Sequence, residues 1–242
     1  MNAVLINHVA PKSTDSILDI GCGTGATTRD FAAHTQHAHG IDISTSMLAP
    51  AQKSTLQNTA FTRADAQTEP LSKLHYDHLV SRFGVMFFED PFEAFKNIHN
   101  SLKQDGQLSF VCWQNASLNP WQSLSMQVIK QFLDLPAPPP KSPGPFAFED
   151  KEYIKEILEA SGFQEIGITD NQEEIVMFSG KSIREASEDY LTINPVVTEM
   201  LKNSGDELRE EILEALITKF SDFHKNEGLL FPSATWIVSA KK

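Results

Sequence analysis

The sequence has few cysteines and no long hydrophobic run. Cys22 and Cys112 are the only cysteines among 242 residues, which is too few for a disulfide framework and favours a reducing compartment. The apolar runs are too short to span a bilayer, and residues 1–15 lack the basic start and apolar stretch of a signal peptide. We therefore expect a cytoplasmic protein without a membrane partner.

Basic residues are also scarce. The chain has 20 Lys and Arg against 32 Asp and Glu, which gives a net charge of -12. An acidic surface repels phosphate backbones and anionic lipid, so we expect no nucleic-acid partner. Hydrophobic residues at 40% and charged residues at 21% are typical of a globular protein, and the length suits one large domain with or without a lid.

Short apolar runs alternate with helix-like segments in the first half of the chain. The runs cover residues 16–20, 38–43, 59–62, 76–81 and 106–113. Strands separated by helices of this length predict βαβ units and a parallel sheet. Two further strands are predicted near residues 163–169 and 229–239.

The segment that follows the fifth apolar run leaves two interpretations open. Trp113, Asn115, Asn119 and Trp121 either line an acceptor pocket or pack beneath inserted helices. The proline-rich residues 136–145 favour a stiff loop, which is either a connector or a rigid edge of an active-site mouth.

A glycine-rich turn, LDIGCGTGA at residues 18–26, ends the first predicted strand. Gly21, Gly23 and Ala26 satisfy the G-x-G-x-x-G/A pattern of a dinucleotide site, and Gly25 also completes a G-x-G-x-G pattern. Small residues let backbone N–H groups approach a ligand closely. The glycines alone therefore predict an adenosine-type ligand without naming it.

Two carboxylates lie near this turn. Asp19 directly precedes the glycines, where it would repel a pyrophosphate and attract the cationic ammonium and sulfonium of S-adenosylmethionine. Asp42 ends the second predicted strand, about 20 residues beyond the turn, where a carboxylate can accept from both ribose hydroxyls. Asp42 fits both ligand classes, whereas Asp19 favours the sulfonium cofactor.

Several motifs together resemble class I S-adenosylmethionine-dependent methyltransferases, particularly the group similar to ubiquinone/menaquinone-biosynthesis methyltransferases. They occur in the family's order and spacing over roughly the first half of the chain, at residues 18–25, 40–47, 63–67, 80–88 and 102–108. The tail resembles the family's last two strands more loosely. The resemblance implies S-adenosylmethionine as the cofactor. The implied cofactor-binding residues are Asp19, Gly21, Cys22, Gly23, Gly25, Asp42, Ile43, Met47, Asp65, Ala66, Ser81, Arg82 and Phe83.

The resemblance also implies a role for most of these residues. The three glycines would pass close to the methionine part and ribose, Asp19 would help to hold the ammonium, and Asp42 would accept from the ribose hydroxyls. Met47 would pack on the adenine face, Asp65 would accept from the adenine amino group, and the Ala66 N–H would meet a ring nitrogen. The Ser81 carbonyl would accept from the ammonium, and the Arg82-Phe83 pair would border the methyl group.

The fold that we expect is α/β and Rossmann-like, with a seven-stranded, mostly parallel sheet, helices on both faces and an antiparallel last strand. One methyltransferase domain would cover residues 1–242, with lid insertions near 114–148 and 171–225. The acceptor would be a small, partly hydrophobic molecule, and the protein a monomer or homodimer. No residue is assigned as a general base.

Two other functions remain open at this point. A nicotinamide-dependent oxidoreductase fits the glycine spacing, but Asp19, Asp65-Ala66 and residues 81–88 have no place in it. A non-catalytic S-adenosylmethionine-binding protein is the second alternative, because only about ten residues precede the first strand and part of the usual cover over the cofactor is expected to be missing. His34, His37 and His39 have conceivable metal spacing, but we interpret them as surface histidines and expect no metal.

Overall fold

Five parallel strands form the first part of the sheet in this computed structural model, which describes residues 1–71 and 75–242. They follow the spatial order β3-β2-β1-β4-β5. Their bounds are β1 Ser16–Ile20, β2 His37–Asp42, β3 Thr59–Arg63, β4 Tyr76–Arg82 and β5 Leu102–Trp113. All five overlap the predicted apolar runs, but β5 begins at Leu102, before the predicted run at 106–113.

The last strands extend the sheet beyond β5. β8 (Gly228–Lys241) pairs antiparallel with β5, from Gln107 opposite Lys241 to Trp113 opposite Thr235, and β6 (Gln164–Met177) lies next to β8. The expected Rossmann-like, mostly parallel sheet with an antiparallel last strand is confirmed. The two-residue β7 (His224–Lys225), which pairs with β8, adds an eighth strand to the seven predicted.

Helices occupy most of the segments between strands. Their bounds are α1 Asn2–Val9, α2 Ala26–Ala32, α3 Thr45–Ala51, α4 Pro91–Ser101, α5 Pro120–Ile129, α6 Lys151–Ala160, α7 Ile183–Ile193, α8 Pro195–Lys202 and α9 Asp206–Phe220. Short polar residues begin several of them: the Ser44 hydroxyl accepts from the Met47 N–H at 3.3 Å, and the Asp90 carboxylate accepts from the Glu93 N–H at 3.1 Å. No helix within the described residues has the length and apolarity needed to cross a membrane.

Alternate residues of each strand supply cores on the two faces of the sheet. Leu18 and Ile20 of β1 belong to a cluster that includes residues of α4 and α6, whereas Ile17 packs with Leu5 of α1 and Phe31 of α2. The residues before β1 therefore form a helix that contacts the second core, which the sequence pattern did not predict. Burial of these apolar side chains is the main force that fixes the strand ends in place.

The chain divides into two compact units. The first comprises residues 1–114, 140–171 and 235–242, and the second comprises residues 115–139 and 172–234. The second unit thus includes most of the two predicted insertions, but residues 140–148 belong to the first unit. Within the second unit, the Tyr190 hydroxyl donates to Gln122 at 3.0 Å, and the Arg184 guanidinium pairs with Glu210 at 2.7 Å. Whether this unit acts as a lid stays a prediction.

The turns that follow β1 and β4 approach each other closely. Gly21 has a φ of +67°, and a Cβ on it would lie 2.7 Å from the Cα of Gly84. A Cβ on Gly84 would lie 2.5 Å from the carbonyl oxygen of Ile20. Neither obstacle is a flexible side chain, so the backbone itself would have to shift to admit a larger residue.

We expect Gly21→Ala to lower the free energy of unfolding by about 2 to 5 kcal/mol, because it combines a left-handed backbone with overpacking. Gly180→Ala is the matched control, since Gly180 has a φ of +74° but nothing within 4 Å of the added Cβ. This control should lose only about 1 to 2 kcal/mol. Urea unfolding of both variants measures the difference, and equal losses would contradict the steric argument.

Candidate functional site

A cavity of about 490 Å³ lies in the first unit, at the carboxyl ends of β1 to β4. This volume lies within the usual range for small-ligand sites, and this edge is where open parallel sheets bind ligands. The lining residues are Ile20, Gly21, Gly23, Ile41, Asp42, Ile43, Met47, Ala64, Asp65, Ala66, Gln67, Phe83, Gly84, Phe87, Phe88 and Glu89. Eight of the thirteen residues predicted to bind a cofactor are among them.

Asp42 is held by two backbone hydrogen bonds at the end of β2. Its Oδ2 accepts from the Gly23 N–H at 2.7 Å, and its Oδ1 accepts from the Ser44 N–H at 2.8 Å. Each carboxylate oxygen keeps a further acceptor position, so the group can still receive two ligand hydroxyls. The same contacts fix the glycine turn against the start of α3.

Apolar side chains surround the cavity and are exposed to solvent. Ile43 is 61% exposed, Met47 46% and Phe87 55%. The Met47 Cε lies 3.2 Å from the position that a Cβ on Gly23 would take, so this side chain extends over the glycine turn. Large apolar residues that converge on one cavity indicate a ligand with an apolar face.

Asp65 and Ala66 line the cavity at the end of β3. The Asp65 carboxylate accepts from the Thr68 hydroxyl at 2.6 Å and from the Gln67 N–H at 2.9 Å. These bonds, the Thr68 hydroxyl foremost, lower the pKa of Asp65, so the group is ionised at neutral pH. Its remaining acceptor positions are compatible with the predicted contact to an amino group.

Asp19 lies in β1, two residues before Gly21 of the glycine turn, and only 1% of its surface is exposed. Its Oδ2 accepts from the Thr28 hydroxyl at 2.6 Å, whereas Oδ1 is buried without a hydrogen-bond partner. Burial raises the pKa of Asp19 to about 6. A buried, partly unsatisfied carboxylate next to a cavity is typical of a site that receives a cation.

Five predicted residues do not line the cavity: Asp19, Cys22, Gly25, Ser81 and Arg82. The Cys22 thiol packs with Leu48 and Ala51, so only the backbone of this residue can meet a ligand, and burial raises the pKa of the thiol. A Cβ on Gly25 would lie 2.6 Å from the Phe61 ring, which makes Gly25 a packing position at the start of α2. The Ser81 hydroxyl donates to the Ile20 carbonyl at 2.7 Å and ties β4 to β1.

The structure also brings residues to the cavity that the sequence prediction missed. They are Ile20, Ile41, Ala64, Gln67, Gly84, Phe87, Phe88 and Glu89. Within residues 80–88, the family resemblance implies roles only for Ser81, Arg82 and Phe83. A 3-10 turn at Val85–Phe87 buries Val85 and Met86 and leaves Phe87 exposed beside the cavity. An apolar run after a strand gave no sign of that turn.

Phe83 combines an unusual backbone with an aromatic contact. Its φ is +64°, and a left-handed conformation of a bulky residue costs about 1 to 3 kcal/mol. The Phe83 ring stacks on Trp113, with 4.3 Å between ring centroids and 9° between planes, and its N–H donates to the Val111 carbonyl at 3.0 Å. Trp113 thus contacts a cavity residue, whereas Trp121 and Asn119 are buried in the second unit, as the packing interpretation expects.

Three histidines, His34, His37 and His39, have a conceivable metal spacing in the sequence. In the part of the chain that the structure describes, no group of three His, Cys, Asp or Glu side chains could hold a metal ion. His39 is half-buried, and its ring nitrogens contact the Tyr76 hydroxyl at 2.7 Å and the Thr62 hydroxyl at 2.9 Å. Burial lowers the pKa of His39.

Comparison with known proteins identifies the first half of the chain. Residues 17–106 match the family described as "Methyltransferase domain". This match identifies residues 17–106 as a methyltransferase domain. It is 27% identical over 112 residues to the uncharacterized methyltransferase YcgJ of Bacillus subtilis, covering 45% of this chain and 44% of that protein. It is 27% identical over 176 residues to the demethylmenaquinone methyltransferase of Staphylococcus haemolyticus, covering 65% and 72%.

This chain spans about half the length of the curated relatives that it matches first, with 44% of YcgJ and 51% of a malonyl-[acyl-carrier protein] O-methyltransferase of Pseudescherichia vulneris covered. Solved structures agree on the fold. The crystal structure of Bacillus subtilis YcgJ superposes with a TM-score of 0.64 at 15% identity and covers 100% of this chain and 97% of that one. The match of residues 17–106 supports the family that the motifs resemble, and the solved structure supports its fold.

The residues of the cavity, together with Asp19, which directly precedes the lining residues Ile20 and Gly21, fit S-adenosylmethionine. The unpartnered Asp19 oxygen suits a cationic amino-acid group, Asp42 suits ribose hydroxyls, and the apolar Ile43 and Met47 suit the faces of an adenine ring. A pyrophosphate has no comparable place, because Asp19 would repel it.

We expect the buried Asp19 to destabilise the ligand-free protein as the pH rises. Its pKa is 3.8 ordinarily and about 6 in the fold, so the protonated form is favoured on folding and stability is lost as pH rises through this window. The free energy of unfolding of Asp19→Asn minus that of wild type should therefore increase by about 2 to 3 kcal/mol between pH 4 and pH 7.

Asp65→Asn is the control for this experiment. The pKa of Asp65 is lowered in the fold, so its stabilising contribution is present above the ordinary pKa and lost as pH falls. The difference from wild type should therefore change in the opposite direction, mainly below pH 4. Urea unfolding of the three proteins across pH 3 to 7 gives the answer, and a pH-independent Asp19→Asn difference would refute the prediction.

Proposed function

We propose that the protein transfers a methyl group from S-adenosylmethionine to a small, partly hydrophobic molecule. The observation that carries this proposal is the buried Asp19 carboxylate, which has an unpartnered oxygen directly before the glycine turn of a methyltransferase domain. The ammonium and sulfonium charges of this cofactor compensate the carboxylate, whereas the pyrophosphate of a nicotinamide dinucleotide does not.

The chain's own residues divide the binding task among three strand ends. Asp42 holds the ribose through oxygens that the Gly23 and Ser44 N–H groups keep oriented. Met47 and Ile43 pack against the adenine ring, and Asp65 accepts from its amino group. This division leaves the end of β4, with Phe83, facing the reactive end of the cofactor.

The bound cofactor supplies an electrophilic methyl group on a sulfonium. The protein's contribution to such a displacement is mainly alignment of the acceptor and exclusion of water. Phe83, Phe87 and Phe88 give the cavity an apolar wall that serves both purposes. A general base is required only if the acceptor arrives protonated. The second unit is proposed as the lid that excludes water.

The nature of the acceptor follows from the same aromatic wall. The Phe83-Trp113 stack presents a planar apolar surface beside the cavity. Two relatives are named for small-molecule substrates: the demethylmenaquinone methyltransferase of Staphylococcus haemolyticus and the aklanonic acid methyltransferase DauC of a Streptomyces strain, the latter 28% identical over 117 residues. We infer an acceptor of the same broad class, and the net charge of -12 argues against nucleic acid.

We expect the wild-type protein to bind S-adenosylmethionine and S-adenosylhomocysteine, but not NAD(H), in calorimetric titrations. Asp42→Ala should weaken both by about 100-fold or more, since it removes two charge-assisted hydrogen bonds to the ribose as well as the anchor of the glycine turn. Asp134→Ala, which removes an exposed carboxylate outside the cavity, should bind like wild type. Binding of NAD(H) instead would favour an oxidoreductase.

Turnover separates an enzyme from a protein that only binds the cofactor. We expect S-adenosylhomocysteine release with small, partly hydrophobic aromatic acceptors. We also expect a raised KM for the acceptor in Trp113→Leu, with little change in cofactor affinity. Methylation of protein or RNA alone would overturn the assignment of the acceptor. Tight cofactor binding without turnover across a broad acceptor panel would favour a non-catalytic role.

A further inference from the structure

Arg82 ends β4 with a half-buried guanidinium group. Its Nε donates to the Thr27 hydroxyl at 3.0 Å, and Thr27 donates in turn to the side-chain oxygen of Asn2 at 3.1 Å. Across residues 1–71 and 75–242, no carboxylate forms an ion pair with Arg82 and no acceptor bonds to its two terminal nitrogens. Its positive charge is therefore uncompensated at short range.

The Thr27 contact leaves the binding edge of this guanidinium available. A guanidinium group has five N–H donors in a planar fork, and its two terminal nitrogens match the two oxygens of a carboxylate. Because Thr27 engages Nε, it fixes the plane of the group without occupying that fork. A half-buried guanidinium held in this way is already oriented to receive an anion.

Asp19 presents the opposite charge on the same face of the sheet. It pairs with Val80 across β1 and β4, and Arg82 follows Val80 by two residues, which places the two side chains on one side of the strands. Burial raises the pKa of Asp19, and the positive charge of Arg82 opposes this shift in part, so the two groups interact electrostatically. No ion pair joins them within the described residues, and one Asp19 oxygen stays without a partner.

Neither charged residue lines the cavity itself, but the residues that directly follow each of them do. Ile20 and Gly21 follow Asp19 and line the cavity, and Phe83 and Gly84 follow Arg82 and line it as well. A cation and an anion that do not pair with each other, at the ends of the two paired strands β1 and β4, are complementary to a zwitterion. The α-amino acid end of S-adenosylmethionine is such a group, with an ammonium and a carboxylate on one carbon.

We propose that Arg82 binds the carboxylate of the cofactor's amino-acid end through its terminal nitrogens, while Asp19 receives the ammonium. The inference rests on the proposed function, because it requires S-adenosylmethionine as the ligand. It gives Arg82 a different role from the one that the family resemblance implied, which was to border the methyl group.

Three ligands of decreasing size separate these contacts in calorimetric titrations. S-adenosylmethionine has both charged groups, decarboxylated S-adenosylmethionine lacks the carboxylate, and 5′-methylthioadenosine lacks the amino-acid end entirely. Arg82→Gln should weaken binding of S-adenosylmethionine by about 10- to 100-fold and change the affinity for the decarboxylated ligand less than about threefold. Asp19→Asn should weaken binding of both charged ligands and leave that of 5′-methylthioadenosine unchanged.

Arg29→Gln is the matched control. Arg29 lies in α2 near the same turn, and its Nη1 donates to the Thr24 carbonyl at 2.9 Å, away from the cavity lining. Arg29→Gln removes the same charge as Arg82→Gln. A general electrostatic effect would therefore weaken S-adenosylmethionine binding equally in the two variants. Unchanged 5′-methylthioadenosine affinity in Arg82→Gln shows that the adenosine part of the site is folded.

The outcomes distinguish the two proposals. Equal weakening of S-adenosylmethionine and its decarboxylated form in Arg82→Gln would mean that Arg82 only supports Thr27 and α1, and would overturn the carboxylate assignment alone. If Arg82→Gln also loses 5′-methylthioadenosine binding, Arg82→Lys, which keeps the charge but not the planar fork, takes its place. The affinities for S-adenosylmethionine and its decarboxylated form are then compared in that variant. Failure of the wild-type protein to bind any of the three ligands would overturn the proposed function itself.

Discussion

The close approach of the turns after β1 and β4 is the constraint on which the site depends. Gly21 and Gly84 bring two backbones so near that a Cβ on either would overlap the other turn. The Ser81 hydroxyl locks this arrangement, because it donates to the Ile20 carbonyl and accepts from the Gly84 N–H at 3.2 Å. The turns therefore contribute backbone rather than side chains to the cavity floor, which leaves room for a ligand at the strand ends.

The polar groups around this floor serve the fold and the ligand together. Asp42 satisfies two backbone N–H groups and still has acceptor positions directed by them, so its orientation requires no further support. Asp19 is the opposite case, because one of its oxygens finds no partner in the protein and its burial opposes ionisation. Binding groups that are already oriented lose little conformational entropy when the ligand arrives.

The sequence predicted the sheet and about half of the cavity, for a physical reason. Asp42, Met47, Asp65 and the paired glycines follow strands directly, so strand prediction and motif order place them at one edge. Cys22 was included by position alone, but successive residues of the turn face opposite ways and its thiol enters the core. The lining by Phe87 and its neighbours depends on a 3-10 turn, which leaves no periodic pattern in an apolar run.

The unpaired charges at the ends of β1 and β4 couple the stability of the fold to ligand binding in the proposed site. A ligand that binds only the folded state stabilises it by mass action, in proportion to the logarithm of its concentration over its dissociation constant. The electrostatic cost of the unpaired charges at Asp19 and Arg82 would therefore be greatest in the ligand-free protein. A ligand that carries both counter-charges would lower it. The proposed site would discriminate against adenosine compounds without the amino-acid end, since those leave the buried carboxylate and the half-buried guanidinium without a counter-charge.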